Sequence, residues 1–207
     1  MKMLKLLIGV LMILLVSGCL VKATVPIMDV SMPPPTIAKK LPLRVAILIS
    51  DTLENTTITD KPQGDAGWNV TYTFLLGLML KKSTLNNFSV VFDKIILIKN
   101  KPFPSDIDFV IIPTIENFRY RFKGMAIEVN TSVKIVVLDN QGVNLFEFSG
   151  NKSGENIYKT SVSSMNEAAG LAAAESMEYA IQEIVEAMAM SPEINAYAQK
   201  SSNSFNK

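Results

Sequence analysis

From Met125 to Leu138 apolar and polar residues alternate almost without a break. Met125, Ile127, Val129, Val133, Ile135 and Val137 fall on one face, Glu128, Asn130, Ser132 and Lys134 on the other. A period of two sustained over that length specifies a β-strand rather than a helix, with one face buried and one wet. Phe109 to Phe122 forms an apolar arm ahead of it, and Lys123-Gly124 is the tight connection between the two. After the turn at Asn140-Gln141-Gly142, a third arm runs from Val143 to Ser149 and resumes to Tyr158. The core is therefore predicted to rest on a long antiparallel meander.

The remaining elements are read around that meander. Leu43 to Ile49 is a nearly continuous apolar run rich in β-branched residues and should be a central strand. A polar loop from Asp51 to Gly67 follows, and Trp68 to Lys82 carries Tyr72, Leu75, Leu76, Met79 and Leu80 at helical spacings, with Asp65 as a cap. Phe88 to Phe92 and Lys94 to Ile98 read as strand. Ser164-Met165-Asn166-Glu167 matches a capping box, and the helix it opens runs to about Met190, where Pro192 stops it. Ala169, Ala173, Met177, Ile181, Ile184 and Met188 form its apolar stripe, and the small residues near its start permit close approach to a sheet. The expected fold class is α+β, a largely antiparallel sheet with a long meander and two amphipathic helices packed on one face.

The amino-terminal stretch addresses location. Lys2 and Lys5 precede an apolar run, Leu6 to Val16, too short to span a bilayer, and Ser17-Gly18 follow. Cys19, the single cysteine of the chain, comes directly after Val16-Ser17-Gly18. This arrangement resembles the lipobox of bacterial lipoproteins. The resemblance implies cleavage before Cys19, a diacylglyceryl group on its sulfur and acylation of the new amino terminus. With Leu20 next, it also implies the periplasmic face of the outer membrane. Two or three acyl chains, at about 0.8 kcal/mol per buried CH₂, exceed what stable anchoring requires. The expected organisation is a signal peptide over 1–18, lipidated Cys19 and a proline-containing linker over 19–42, an α+β domain over 43–192 and a polar tail over 193–207. Pro26, Pro33-Pro34-Pro35 and Pro42 suggest an extended spacer of roughly 3.1 Å per residue, on the order of 50 Å in all. The alternative is that part of it packs along the domain as an edge strand, since Val25, Ile27 and Val30 are apolar.

Composition narrows the chemistry. The chain has 20 Lys+Arg against 19 Asp+Glu, and without Lys2 and Lys5 the counts become 18 against 19. That near-neutral balance, without basic clusters, is not the footprint of a nucleic-acid binder. Histidine is absent, which removes the commonest general base and metal ligand and makes Ser-His-Asp or Cys-His arrangements impossible. Asp106 with Asp108, and Asp51 with Glu54, are the nearest paired carboxylates, and both read as solvated loop acids. Gly64-Asp65-Ala66-Gly67 lacks the Gly-Lys-Ser/Thr ending of a phosphate loop. No catalytic residue, metal site or cofactor other than the covalent lipid on Cys19 is expected.

The remaining candidate is Asn117-Phe118-Arg119-Tyr120-Arg121-Phe122, where the aromatics share one face of a strand and the arginines the other. The plain reading puts the aromatics in the core. The sharper one has this end of the hairpin outreach the helices, so that Arg119, Arg121 and Phe122 contact a partner. Phe146 and Phe148 should join the same aromatic cluster. With Cys19, with Val110-Ile111-Ile112-Pro113-Thr114-Ile115 leading into a hairpin, with Val136 to Gly142 and with the Ala-rich last helix, the chain resembles small bacterial envelope lipoproteins. Nearest are the YajG-like lipoproteins and the auxiliary lipoproteins of envelope transporters. The resemblance implies a non-enzymatic accessory, membrane-bound through its acyl chains, that binds an envelope protein partner and is compatible with oligomers. The alternative is a carrier of lipid or glycan, with Met79, Met177 and Met188 as adaptable lining.

Overall fold

The chain enters its fold earlier than its prolines suggest. The computed structural model describes residues 21–61, except 34, 36, 38 and 39, together with 70–158 and 162–205, and its first described residues are already a strand. In chain order the elements are Val21–Thr24 (β1), Leu41–Leu48 (β2), Asp51–Glu54 (α1), Ile58–Asp60 (β3), Val70–Phe74 (β4), Leu76–Val91 (α2) and Phe92–Ile98 (β5). Then come Phe109–Lys123 (β6), Ala126–Leu138 (β7), Asn144–Ile157 (β8), Val162–Met190 (α3) and Pro192–Phe205 (α4).

Two sheets form. The larger has the order β5-β2-β6-β7-β8. β2 pairs in parallel with both neighbours because its residues are apolar on both faces: Leu43, Val45 and Ile47 turn one way, Ala46 the other, and all are buried. The meander β6-β7-β8 is antiparallel, as the alternation predicts. The smaller sheet has the order β1-β4-β3, with β1 parallel to β4 and β3 antiparallel to it.

Helices α2 and α3 and the smaller sheet all lie on one face of the meander. α3 covers β7 and β8, and α2 packs on α3 and β5. The contact between α3 and β8 is made by backbone, because β8 carries glycine where its side chains would meet the helix. A Cβ on Gly150 would stand 2.1 Å from the Ala180 carbonyl oxygen, and one on Gly154 2.2 Å from that of Ala172. The alanines of the helix stripe complete this close approach.

β6 contains the decisive irregularity. Its pairing with β7 slips between Ile115 and Asn117, one extra residue on β6. Before the bulge, Phe109, Ile111 and Pro113 face the covered side; after it, Phe118, Tyr120 and Phe122 do. Those three aromatics meet the smaller sheet. Phe74 lies 4.9 Å from both Phe118 and Tyr120, and Tyr72 lies 6.1 Å from both Tyr120 and Phe122, ring centre to ring centre. Phe122 also meets Tyr158 edge-on at 5.5 Å. The Tyr72 hydroxyl is buried here without a hydrogen-bond partner among the described residues, and burial pushes its pKa up to about 12, with Tyr158 adding to the rise.

Several expectations are corrected. The described residues hold four helices rather than two, and their larger sheet is mixed. Val70–Phe74 is strand rather than the start of a helix: its β-branched and aromatic residues form the centre of a small sheet pressed between neighbours. α2 begins at Leu76 instead and runs through Phe88 to Val91, where a strand is expected from sequence; Phe88 and Val91 are buried on the helix three residues apart. The polar tail over 193–207 is largely α4, capped by Ser191 and holding Ile194 and Ala198 in the core. The spacer is also revised, in favour of the edge-strand alternative. Val25 is buried, Ile27, Met28 and Val30 pack on the core, and a Cβ on Gly170 of α3 would meet the Pro26 carbonyl oxygen at 2.7 Å. Asn166 donates to the Thr24 carbonyl at 2.9 Å, Gln182 to that of Pro33 at 3.3 Å, and Lys82 pairs with Asp29. Phe146 joins Phe109 at 6.2 Å, and Phe109 meets Tyr197 at 4.6 Å. This is a separate aromatic group from the one around Phe122. Asp65 and the Gly64 to Gly67 turn lie outside the described residues, as does Cys19.

Candidate functional site

The helices and the smaller sheet cover one face of the meander; on the other, Phe103 and Ile107 close a small apolar cluster over Val110 and Leu138, and the half toward the Lys123-Gly124 turn is open, its chemistry following from the bulge. The extra residue that turns Phe118, Tyr120 and Phe122 inward turns Arg119 and Arg121 outward. Register then sets their neighbours: Arg119 stands opposite Asn130, which stands opposite Ser153, and Arg121 stands opposite Glu128. Together they line a shallow depression of about 330 Å3.

The groups in it are ordered by hydrogen bonds. Arg121 grips one Glu128 carboxylate oxygen with Nε at 2.9 Å and Nη2 at 2.7 Å. The Asn130 amide donates to Asn151 Oδ1 at 3.0 Å and Ser153 Oγ at 3.1 Å, tying β7 to β8. Arg119 is exposed and makes no ion pair among the described residues. Farther along the same face Lys134 pairs with Glu147 at 2.6 Å, which holds the Glu147 carboxyl below its usual range and raises the Lys134 ammonium. With Arg121 neutralised by Glu128 and the Asn130 amide engaged by β8, the group this rigid surface leaves exposed is the Arg119 guanidinium, whose planar donors match a carboxylate.

Of the residues singled out from sequence, Arg119 and Arg121 come together in this depression. Phe122 does not. It is 6% exposed and belongs to the aromatic core, because the end of the hairpin that the helices leave uncovered is covered by the chain's own β4. Glu128, Asn130 and Ser153 are members that the sequence reading did not single out. Alternation already put Glu128 and Asn130 on the wet face, whereas Ser153 depends on the β7–β8 register.

The paired carboxylates have structural work. Asp108 accepts the Arg44 backbone N–H at 2.8 Å, and Asp106 pairs with the Arg44 side chain at 3.2 Å, locking β2 to the start of β6. Glu54 binds Lys81 at 2.6 Å and Lys99 at 3.2 Å, while Lys99 reaches Asp51 at 2.5 Å. Among the described residues no group of three or more His, Cys, Asp or Glu side chains could hold a metal ion. No helix among them is long and apolar enough to cross a membrane.

Comparison with solved structures identifies the architecture. The chain shares its fold with protein XCC0632 from Xanthomonas campestris, of the family model DUF330. The two superpose with a TM-score of 0.50 at 12% identity, over 88% of this chain and 98% of that one. Lower similarity connects it to a putative lipoprotein from Caulobacter crescentus CB15, at a TM-score of 0.38 and 12% identity over 59% of this chain and 83% of that one. A putative neuraminyllactose-binding hemagglutinin homolog from Helicobacter pylori gives 0.37 and 8%, over 87% and 100%. No protein-family model and no curated protein matches the chain.

Proposed function

We propose that the protein is a lipoprotein of the bacterial envelope, held by acyl chains on Cys19 at the periplasmic face of the outer membrane. There it acts as a non-enzymatic accessory that binds a protein partner through the open face of β6 to β8. The observation that carries the partner reading is Arg119, an exposed guanidinium without an ion pair among the described residues, fixed on a strand beside the Arg121–Glu128 fork. Arginine is enriched at protein interfaces, its planar donors match carboxylates, and the strand beneath Arg119 adds no backbone ordering to the cost of binding. The partner surface that fits is acidic. Lipid carriage is the second reading: Met79, Met177 and Met188, the adaptable lining it calls on, are buried members of the core between the helices and the larger sheet.

A pull-down from gently solubilised membranes tests this reading. Arg119→Glu combined with Arg121→Glu is expected to abolish capture of the partner obtained with the unaltered chain. The substitution should cost about 1–2 kcal/mol, since Arg119 is on the surface and Arg121→Glu exchanges the Arg121–Glu128 pair for two facing carboxylates. Retained capture, or its loss together with a collapse in stability, would contradict the proposal.

A further inference from the structure

The revised course of the first residues decides which end of the molecule meets the bilayer. Val21 begins β1 opposite Val70 of β4. β4 packs on β6 so that Phe74 meets Phe118 and Tyr72 meets Phe122. Val70, and with it Val21, therefore lies toward the Lys123-Gly124 tip of the β6–β7 hairpin. Cys19 is two residues before Val21, a reach of at most about 8 Å. No long spacer separates the proposed anchor from the folded domain.

The tip end carries exposed apolar side chains. Met125 is 56% exposed and Ile157, paired with Ala126 at the end of β8, is 74% exposed. Exposed Lys123 and Lys22 flank them, with the acid Glu155 one turn of the pleat away and Glu128 already held by Arg121. The opposite end has a similar pair, Val143 at 55% and Met190 at 73%. The 14 residues of β8 put it some 46 Å away at about 3.3 Å per residue, beyond what two residues can span.

From the end at which the chain enters, and resting on the reading of Cys19 as the lipid attachment point, we infer that the hairpin tip docks end-on against the lipid surface. Met125 and Ile157 enter the headgroup boundary, and Lys22 and Lys123 face anionic headgroups. The domain then stands on the bilayer. Arg119 and Arg121 open sideways just above the headgroups, within reach of a partner that is itself membrane-bound.

The test uses full-length protein purified from membranes and reconstituted in phosphatidylethanolamine–phosphatidylglycerol vesicles. An acylated Cys19 has no free thiol, so an introduced cysteine takes an environment-sensitive fluorophore alone. Met125→Cys, Ile157→Cys and Val143→Cys are placed at exposed positions and should leave the fold intact. Nitroxide lipids should quench labels at 125 and 157 several-fold more than the label at 143. Protein that floats with the vesicles but shows equal quenching, or stronger quenching at 143, overturns the docking and leaves the anchor standing. Protein that does not float overturns the anchor and the docking together.

Discussion

Ser176 on α3 and Thr131 on β7 place their hydroxyl oxygens 2.5 Å apart in the core, with the Lys152 carbonyl oxygen of β8 at 3.1 Å from Ser176 Oγ. Both residues are fully buried. This polar bridge sits where glycine and alanine bring the helix backbone onto β8, and it fixes the helix over two strands at once.

Removing half of the bridge should cost more than removing all of it. Ser176→Ala strands the Thr131 hydroxyl and should destabilise by about 1–3 kcal/mol. Adding Thr131→Val should restore part of that loss, because no buried hydroxyl is then left unpaired. Urea melts of the two single variants and the double variant measure the coupling. Additive losses would mean that the hydroxyls do not act as a pair.

The glycines of β8 should be intolerant of a methyl group. Gly150→Ala and Gly154→Ala each drive a Cβ into a helix carbonyl, and the cost should be about 3 kcal/mol or more, at the top of the overpacking range. Gly124→Ala meets no atom within 4 Å and pays only for its φ of +61°, about 1–2 kcal/mol. Equal losses at all three positions in denaturant melts would show that the helix yields.

Acid sensitivity should be traceable to Glu54. Its carboxyl is held below the usual value of 4.5, first by the hydrogen bond from Lys81 and then by that from Lys99. A depressed acid stabilises fully above its unfolded-state value and loses that contribution as pH falls through the folded one. Thermal midpoints should therefore drop below pH 4.5, and Lys81→Met with Lys99→Met should make that drop shallower. It should not vanish, because Glu147 is depressed in the same way by Lys134. Lys99 carries the opposite sign. Raised first by Asp51 and then by Glu54, it contributes below its unfolded value of 10.5 and loses that contribution as pH rises through the folded value. An unchanged acid limb in the double variant would contradict this account.

What the sequence made legible was whatever depends on local period. The alternation over Met125 to Val137 marked both the strand and its wet face, and the stripe on α3 marked its buried residues. What it hid depends on tertiary neighbours. Val70 to Phe74 suits helix or strand by spacing, and only pairing with Val21 and Ile58 decides it. The prolines before Pro42 suggested a free spacer, yet Val25 and Ile27 gain more by packing on the core than by solvation. Arg119 and Arg121 were readable as a pair, but Phe122 was misplaced because nothing local announces that β4 covers the hairpin end. The site's Ser153 needed a strand register fixed 23 residues from Asn130 along the chain.

The anchor on which the functional account depends can be measured directly. Cells expressing the chain are grown with a clickable fatty-acid analogue, and the unaltered protein is compared with Cys19→Ala. The account predicts acyl label on the unaltered chain and none on the variant, whose domain still folds because Cys19 precedes the first strand. Label retained by Cys19→Ala, or absent from the unaltered chain, would contradict it.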